Sequence, residues 1–169
     1  MTHPVLRLLK HRRFDEADAL RIVGADAMQR IQARVAASET RHSGEIRVCV
    51  EAGLPWSYLR RRATARERAV AMFGKLRVWD TEYNNGVLIY LLLAEHAIEV
   101  VADRGLGRQV DAAEWRAITS TMASAFAAGH FEAGLNQAVD AVDELLRRHF
   151  PLAPGEPNPN ELPDEPDVR

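Results

Sequence analysis

Three short runs hold most of the side chains with chemistry in them: SGEIRVCVEAG (43–53), VWDTEYNNGVLIYLLL (78–93) and IEVVADRGLGRQVD (98–111). In each, oxygen-bearing residues stand at the end of an apolar stretch. Carboxylates and amide carbonyls are the ligands that hard cations prefer, so Glu45, Asp80, Asn84 and Asp103 form a candidate set for Ca²⁺ or Mg²⁺. Arg104 adds a cation beside Asp103 that can steady a phosphate. Asp103 and Arg104 are therefore the catalytic candidates, and an enzyme built on them would work by metal-assisted hydrolysis. Plain loop chemistry competes with this. Asp103 can bond its own backbone or pair with Arg104, and Asn84 and Asn85, which could add ligands, stand before a glycine and a strand, where Asn-Gly is ordinary turn chemistry.

Other reaction types lack their residues. Cys49 is the only cysteine, which leaves no intrachain disulfide and no multi-cysteine zinc site. It sits mid-strand among apolar neighbours, and Pro55 stands where a cysteine phosphatase loop needs arginine. His3, His11, His42, His96, His130 and His149 are scattered, without His-Glu-x-x-His spacing. No Gly-x-Ser-x-Gly elbow and no phosphate-binding Gly-Lys-Ser/Thr loop occurs. RGLGRQVDAAEW has the glycines and arginines of an anion cradle. However, Asp111 followed by Glu114 reads as a helix cap, which already occupies the positive helix end.

The elements that position these residues follow from hydrophobic period. Met28, Ile31 and Val35 mark an amphipathic helix ending near Ser43-Gly44. Ile46, Val48 and Val50 alternate as a half-buried strand. Pro55 opens a helix with a stripe of Leu59, Ala63, Val70 and Phe73. Its opposite face carries Arg60, Arg61, Arg62, Arg66 and Arg68, read as solvated or as a landing place for an acidic partner. Val87–Leu93 is apolar on both faces, and Glu95-His96 turns the chain into a third strand, Ile98–Val101. Trp115, Ile118, Met122 and Phe126 line one further helix, and Leu135, Val139, Val142 and Leu146 another. Strand–helix–strand implies parallel pairing, and the short turn implies an antiparallel hairpin. Helices must cover both faces of the central strand. The expected fold is α/β: a three-layer α/β/α sandwich around a small mixed sheet. Glu45, Asn84 and Asp103-Arg104 then meet at one sheet edge, with Asp80 approaching from a loop.

The 169 residues favour one folded body. Net charge is -2, and no aromatic residues interleave with the arginines, so nucleic acid is not an expected partner. The longest apolar run, Val87–Ala94, is too short to span a membrane, and no signal peptide is read, so a cytoplasmic setting is the default. From Pro151 the composition shifts, with six of the eight prolines and five acids in 19 residues. Such a segment is expected to be disordered. Without it, 21 Lys and Arg stand against 19 Asp and Glu. The expected division is a basic N-terminal extension or helix at 1–24, a folded domain at 25–150 and an acidic Pro-rich tail at 151–169. VLRLLKHRRF near the start is a weaker candidate for a peripheral membrane or partner helix.

The pattern SGEIRV, NNGVLIYLLL, IEVVADRGL and then spaced W, F, G, F, GL and AVD resembles the TPM-domain family of thylakoid acid phosphatase-like and photosystem II repair-like domains. It covers about 25–150. The resemblance implies an α/β/α sandwich, acid phosphatase activity as in some plant members, and divalent-cation binding such as calcium. It also implies, for many bacterial relatives, a signal peptide and a C-terminal membrane anchor, neither of which is legible here. Where many relatives read GYGLE, this chain reads DRGLG: the acid after Gly-Leu is missing, and Asp103 stands earlier. Two functions result. One is an accessory domain without catalysis of its own that binds a protein partner, with a divalent cation as an optional ligand. The other is a metal-dependent, acid phosphatase-like phosphomonoester hydrolase in which Asp103 and Asp80 hold the ion and Arg104 steadies phosphate.

Overall fold

The computed structural model describes residues 4–169, with side chains from residue 6 on; His3 lies outside the described residues. The chain runs α1 (Pro4–Arg12), α2 (Glu16–Val23), α3 (Ala25–Glu39), β1 (Ile46–Glu51), α4 (Trp56–Arg60), α5 (Ala65–Lys75) and β2 (Val87–Leu92). It continues through β3 (Ala97–Ala102), α6 (Arg104–Gly107), α7 (Ala112–Ala127), α8 (Phe131–His149) and β4 (Asp167–Val168). The sheet order is β3-β2-β1-β4. β1 and β2 pair in parallel, β2 and β3 antiparallel, and β4 joins β1 in parallel.

Alternation of side chains sends the two faces of the sheet into two cores. Ile46, Val48, Val50, Val87, Ile89 and Leu91 pack with Ala19, Ile31, Val35, Phe126, Val142 and Leu146 from α2, α3, α7 and α8. On the other face, Cys49, Leu88, Tyr90 and Leu92 meet Ala65, Ala69 and Met72 of α5, with Tyr58 and Leu59 of α4 against them. The molecule is thus the three-layer α/β/α sandwich that the periodicity implies. Among the described residues no helix is long and apolar enough to cross a membrane.

Several elements depart from the sequence reading, each for a local reason. β1 is buried on both faces rather than half-buried, because helices cover both sides of the sheet. The helix expected after Pro55 breaks in two. Arg62 takes a left-handed φ of 57°, and Thr64 starts a new helix through a reciprocal cap with Glu67. Glu67 N donates to Thr64 Oγ1 at 3.1 Å, and Thr64 N donates to Glu67 Oε2 at 2.7 Å. That cap rephases α5, so Ala65, Arg68, Ala69 and Met72 face inward and Val70 is half in solvent. The N-terminal segment is also less of an extension than its charge suggests. Ala19 is fully buried, and Arg7 and His11 of α1 both bond Glu95.

The largest correction concerns residues 151–169, expected to be disordered. They lie on the body. Ala52 N donates to the Arg169 carbonyl and Arg169 N to that of Val50, and Arg47 donates to the carbonyls of Pro163 and Glu165. Asn158 donates its amide to the carbonyls of Glu39 and His42, and Leu162 is buried. Prolines lack the N–H of an inner strand, but they suit an edge-tracking segment held through carbonyls and side chains.

Candidate functional site

Strand register brings the expected edge together. Ile46 faces Val87 in the parallel pair and Val87 faces Ala102 in the antiparallel one, so residues 45, 86 and 103 arrive side by side. The main chain continues the ladder. Val87 N donates to the Glu45 carbonyl at 2.8 Å, Asp103 N to Gly86 at 2.9 Å and Gly105 N to Asn84 at 2.8 Å. Gly105 is required here, because a Cβ would collide with the carbonyls of Tyr83 and Asn84. Asn84 holds a left-handed φ of 52°, which asparagine tolerates better than most residues.

The side chains are spent differently from the ligand reading. Asp103 Oδ1 accepts from Arg104 N at 2.7 Å and caps the one-turn helix α6, while its Oδ2 is buried without a partner. Arg104 Nε donates to Asn84 Oδ1 at 2.9 Å. Asp80 is exposed and pairs with Arg77 at 2.6 Å. Glu45 is fully buried, and its Oε2 accepts from Leu162 N of the C-terminal segment at 3.1 Å. Asn84, Asp103 and Arg104 therefore come together, whereas Asp80 and Glu45 turn to other partners. Among the described residues no group of three or more His, Cys, Asp and Glu is placed to hold a metal ion.

Residues with other expected roles hold the edge in place. Asn85, weighed as an added ligand or as turn chemistry, is fully buried and donates Nδ2 to the Ser43 carbonyl at 3.1 Å. Its own N–H goes to Thr81 Oγ1 at 3.1 Å. Its pairing with an Asn84 in a left-handed turn was the available signal. Glu39, at the end of α3, accepts from Ile46 N at 2.8 Å and so sets the entry of β1. Burial raises its carboxyl from the ordinary value to about 9, despite that bond. Burial likewise pushes the Glu45 carboxyl up.

Arg60, Arg61, Arg62 and Arg66 are exposed as a solvated face requires, but Arg68 departs from it. Its guanidinium is buried against Glu51, with Nε at 2.9 Å from Oε2 and Nη2 at 2.6 Å from Oε1, and Tyr90 donates to Oε2 at 2.5 Å. The bond to Glu51 raises Arg68, and burial raises the Tyr90 phenol. This network fills both carboxylate oxygens of Glu51 beneath α5. The Cys49 thiol is fully buried and pushed up chiefly by burial, which leaves it protonated and unreactive.

The anion cradle is not available either. Asp111 Oδ1 accepts from Ala113 N at 2.7 Å and Glu114 N at 2.8 Å, filling the N-terminus of α7 as its spacing suggests. The histidines serve different places. His11 accepts from Leu54 N through Nδ1 at 3.0 Å, and His42 Nδ1 meets the Gly44 carbonyl at 3.0 Å. Burial first, then Arg41, lowers His42 to about 4, so it stays neutral.

A family model described as the TPM domain matches residues 15–145. Among solved structures, the chain is similar to the BA42 protein of the psychrophilic bacterium Bizionia argentinensis, solved by NMR. The two share 25% identity and a TM-score of 0.73, over 85% of this chain and 92% of that one. No protein of the curated set matches significantly.

Proposed function

Because the chain belongs to the TPM-domain family, we propose that it is an accessory binding domain of that family, acting by contact with a protein partner rather than by catalysis. One observation carries this reading. The carboxylates that metal-assisted hydrolysis needs are each engaged elsewhere: Asp103 caps α6, Asp80 pairs with Arg77, and Glu45 receives the Leu162 amide. What the edge presents to solvent is Arg104, oriented by Asn84 and by the close approach at Gly105. An oriented guanidinium fits a carboxylate or phosphate on a partner surface. Cation binding is the finer reading of the same edge. Its support is Asp103 Oδ2, an acceptor with no donor in reach.

Two measurements test this. Melting the wild type and Asp103→Asn with and without excess calcium is expected to show no calcium-dependent rise in either. Asparagine keeps the capping oxygen, so ion-free stability is expected to hold. A calcium shift present in the wild type and lost in the variant would establish the cation site instead. The purified protein with Mg²⁺ is expected not to release phosphate from an aryl phosphate. Robust turnover abolished by Asp103→Asn would overturn the accessory reading and place the chain among hydrolases.

A further inference from the structure

β1 would be an edge strand without the C-terminal segment, since β2 lies on its other side. The segment closes that edge with a two-residue strand and a string of side-chain contacts, Asp167 opposite Cys49 and Val168 opposite Val50. Exposed edges are ready templates for another chain, so a cover that can leave has consequences for association. It lies beyond the family match, which ends at residue 145.

Within the contact between cover and body, like charges are brought together. Glu39 is 4% exposed and Glu45 0%; the segment brings Asp164 beside both, and Glu161, whose exposed carboxylate accepts from Glu82 N, near Glu45. Asp164 and Glu39 line one cleft, and Asp164 helps to hold the Glu39 carboxyl up. Glu39 Oε2, Glu45 Oε1 and Asp164 Oδ1 are all buried acceptors with no donor. Glu156 adds another acid on the wall of the adjoining cleft of about 290 Å³, which Glu39, Asn158 and Asp164 also line. The nearby cation, Arg47, is spent on the carbonyls of Pro163 and Glu165. Ionised carboxylates this close and this dry repel, and neither can donate. A single proton removes both problems, turning the Glu39–Asp164 approach into an O–H···O bond.

We infer that residues 151–169 form a proton-held strap, kept over the open edge of β1 by a proton shared between Glu39 and Asp164 and released when that proton is lost. Glu39 is raised to about 9 in the closed form, with burial the first cause. Its carboxyl is more acidic once the strap leaves. Closure is therefore strongest in mild acid and weakens as pH rises towards 9. A one-proton linkage changes the open-to-closed ratio by up to about tenfold per pH unit.

Limited proteolysis of the full chain tests this, using proteinase K, which works across the range, with cleavage of unfolded casein at each pH as the correction. Intact mass reports loss of the strap. Corrected strap cleavage is expected to rise at least about tenfold from pH 6.5 to 9 in the wild type. It is expected to stay flat in Glu39→Gln, whose amide donates to Asp164 at any pH. Asp164→Asn relieves the same pair from the strap side and decides the question if Glu39→Gln fails to fold. A flat wild-type profile, or an equal rise in wild type and variants, would overturn the proposal.

Discussion

A carboxylate's neighbours decide what it does, and the acids of this chain divide on that basis. Glu51 sits in a dry pocket with a forked arginine and a tyrosine hydroxyl, so its charge is matched and its lone pairs are filled. Arg68→Ala removes the partner and strands that charge. We expect a loss of about 3 to 5 kcal/mol in denaturant unfolding, because an unpaired buried ion costs far more than a pair contributes. Tyr90→Phe keeps the shape and removes one donor, and is expected to cost only about 1 to 2 kcal/mol. A smaller loss for Arg68→Ala than for Tyr90→Phe would mean that Glu51 escapes to water. Asp103 is a cap rather than a buried ion, so Asp103→Ala is expected to lower stability by about 1 kcal/mol, measured the same way. Of these residues, Asp103 and Arg104 were legible as important from type and spacing. Glu39, Glu51 and Arg68 were not, because a glutamate or arginine on a regular element looks solvated until another element covers it.

At the scale of elements, the hydrophobic period identified the strands and the long helices and misphased one. α8 buries Leu135, Val139, Val142 and Leu146, the four residues its spacing names. In α7, Met122 and Phe126 are buried, while Trp115 and Ile118 sit partly buried at the margin of the core. Trp115→Ala is accordingly expected to cost less than Phe126→Ala, which removes a fully buried ring and should cost about 3 to 5 kcal/mol. α5 is the misphased case. A single stripe through Pro55–Phe73 put Val70 inside, whereas the cap at Thr64 restarts the helix and turns Met72 inward. Val70→Lys is expected to change unfolding free energy by less than about 0.5 kcal/mol. Met72→Ala is expected to cost about 2 to 5 kcal/mol. The reverse order would restore the single-helix phasing.

For the whole molecule, two buried groups shape the pH profile from opposite sides. His42 falls from its ordinary 6.5 to about 4 on folding, so its contribution is complete above 6.5 and is lost as pH drops towards 4. Glu39 rises from its ordinary 4.5 to about 9, so its contribution is complete below 4.5 and is lost as pH climbs to 9. Between 4.5 and 6.5 the two oppose each other. From 6.5 to 9 Glu39 acts without that offset, and stability is expected to fall by up to about 1.4 kcal/mol per pH unit. Urea unfolding across that range checks it, and Glu39→Gln is expected to remove most of the slope. An unchanged slope in the variant would assign the alkaline loss to another group.

Local pattern was enough to specify the sandwich. Period-two and period-3.6 spacing, a strand apolar on both faces and a short return turn leave few ways to bury the apolar surface, and Asn84, Asp103 and Arg104 meet as that topology requires. Composition was not enough for the C-terminal segment, because six prolines and five acids describe a chain with no core of its own and say nothing of a body waiting with an open strand edge. Tertiary structure alone decided that docking, the inward turn of Arg68 and the dispersal of Glu45 and Asp80. Each depends on which surfaces come within hydrogen-bonding distance across long stretches of sequence. That is a property of the assembled layers, and no spacing along the chain encodes it.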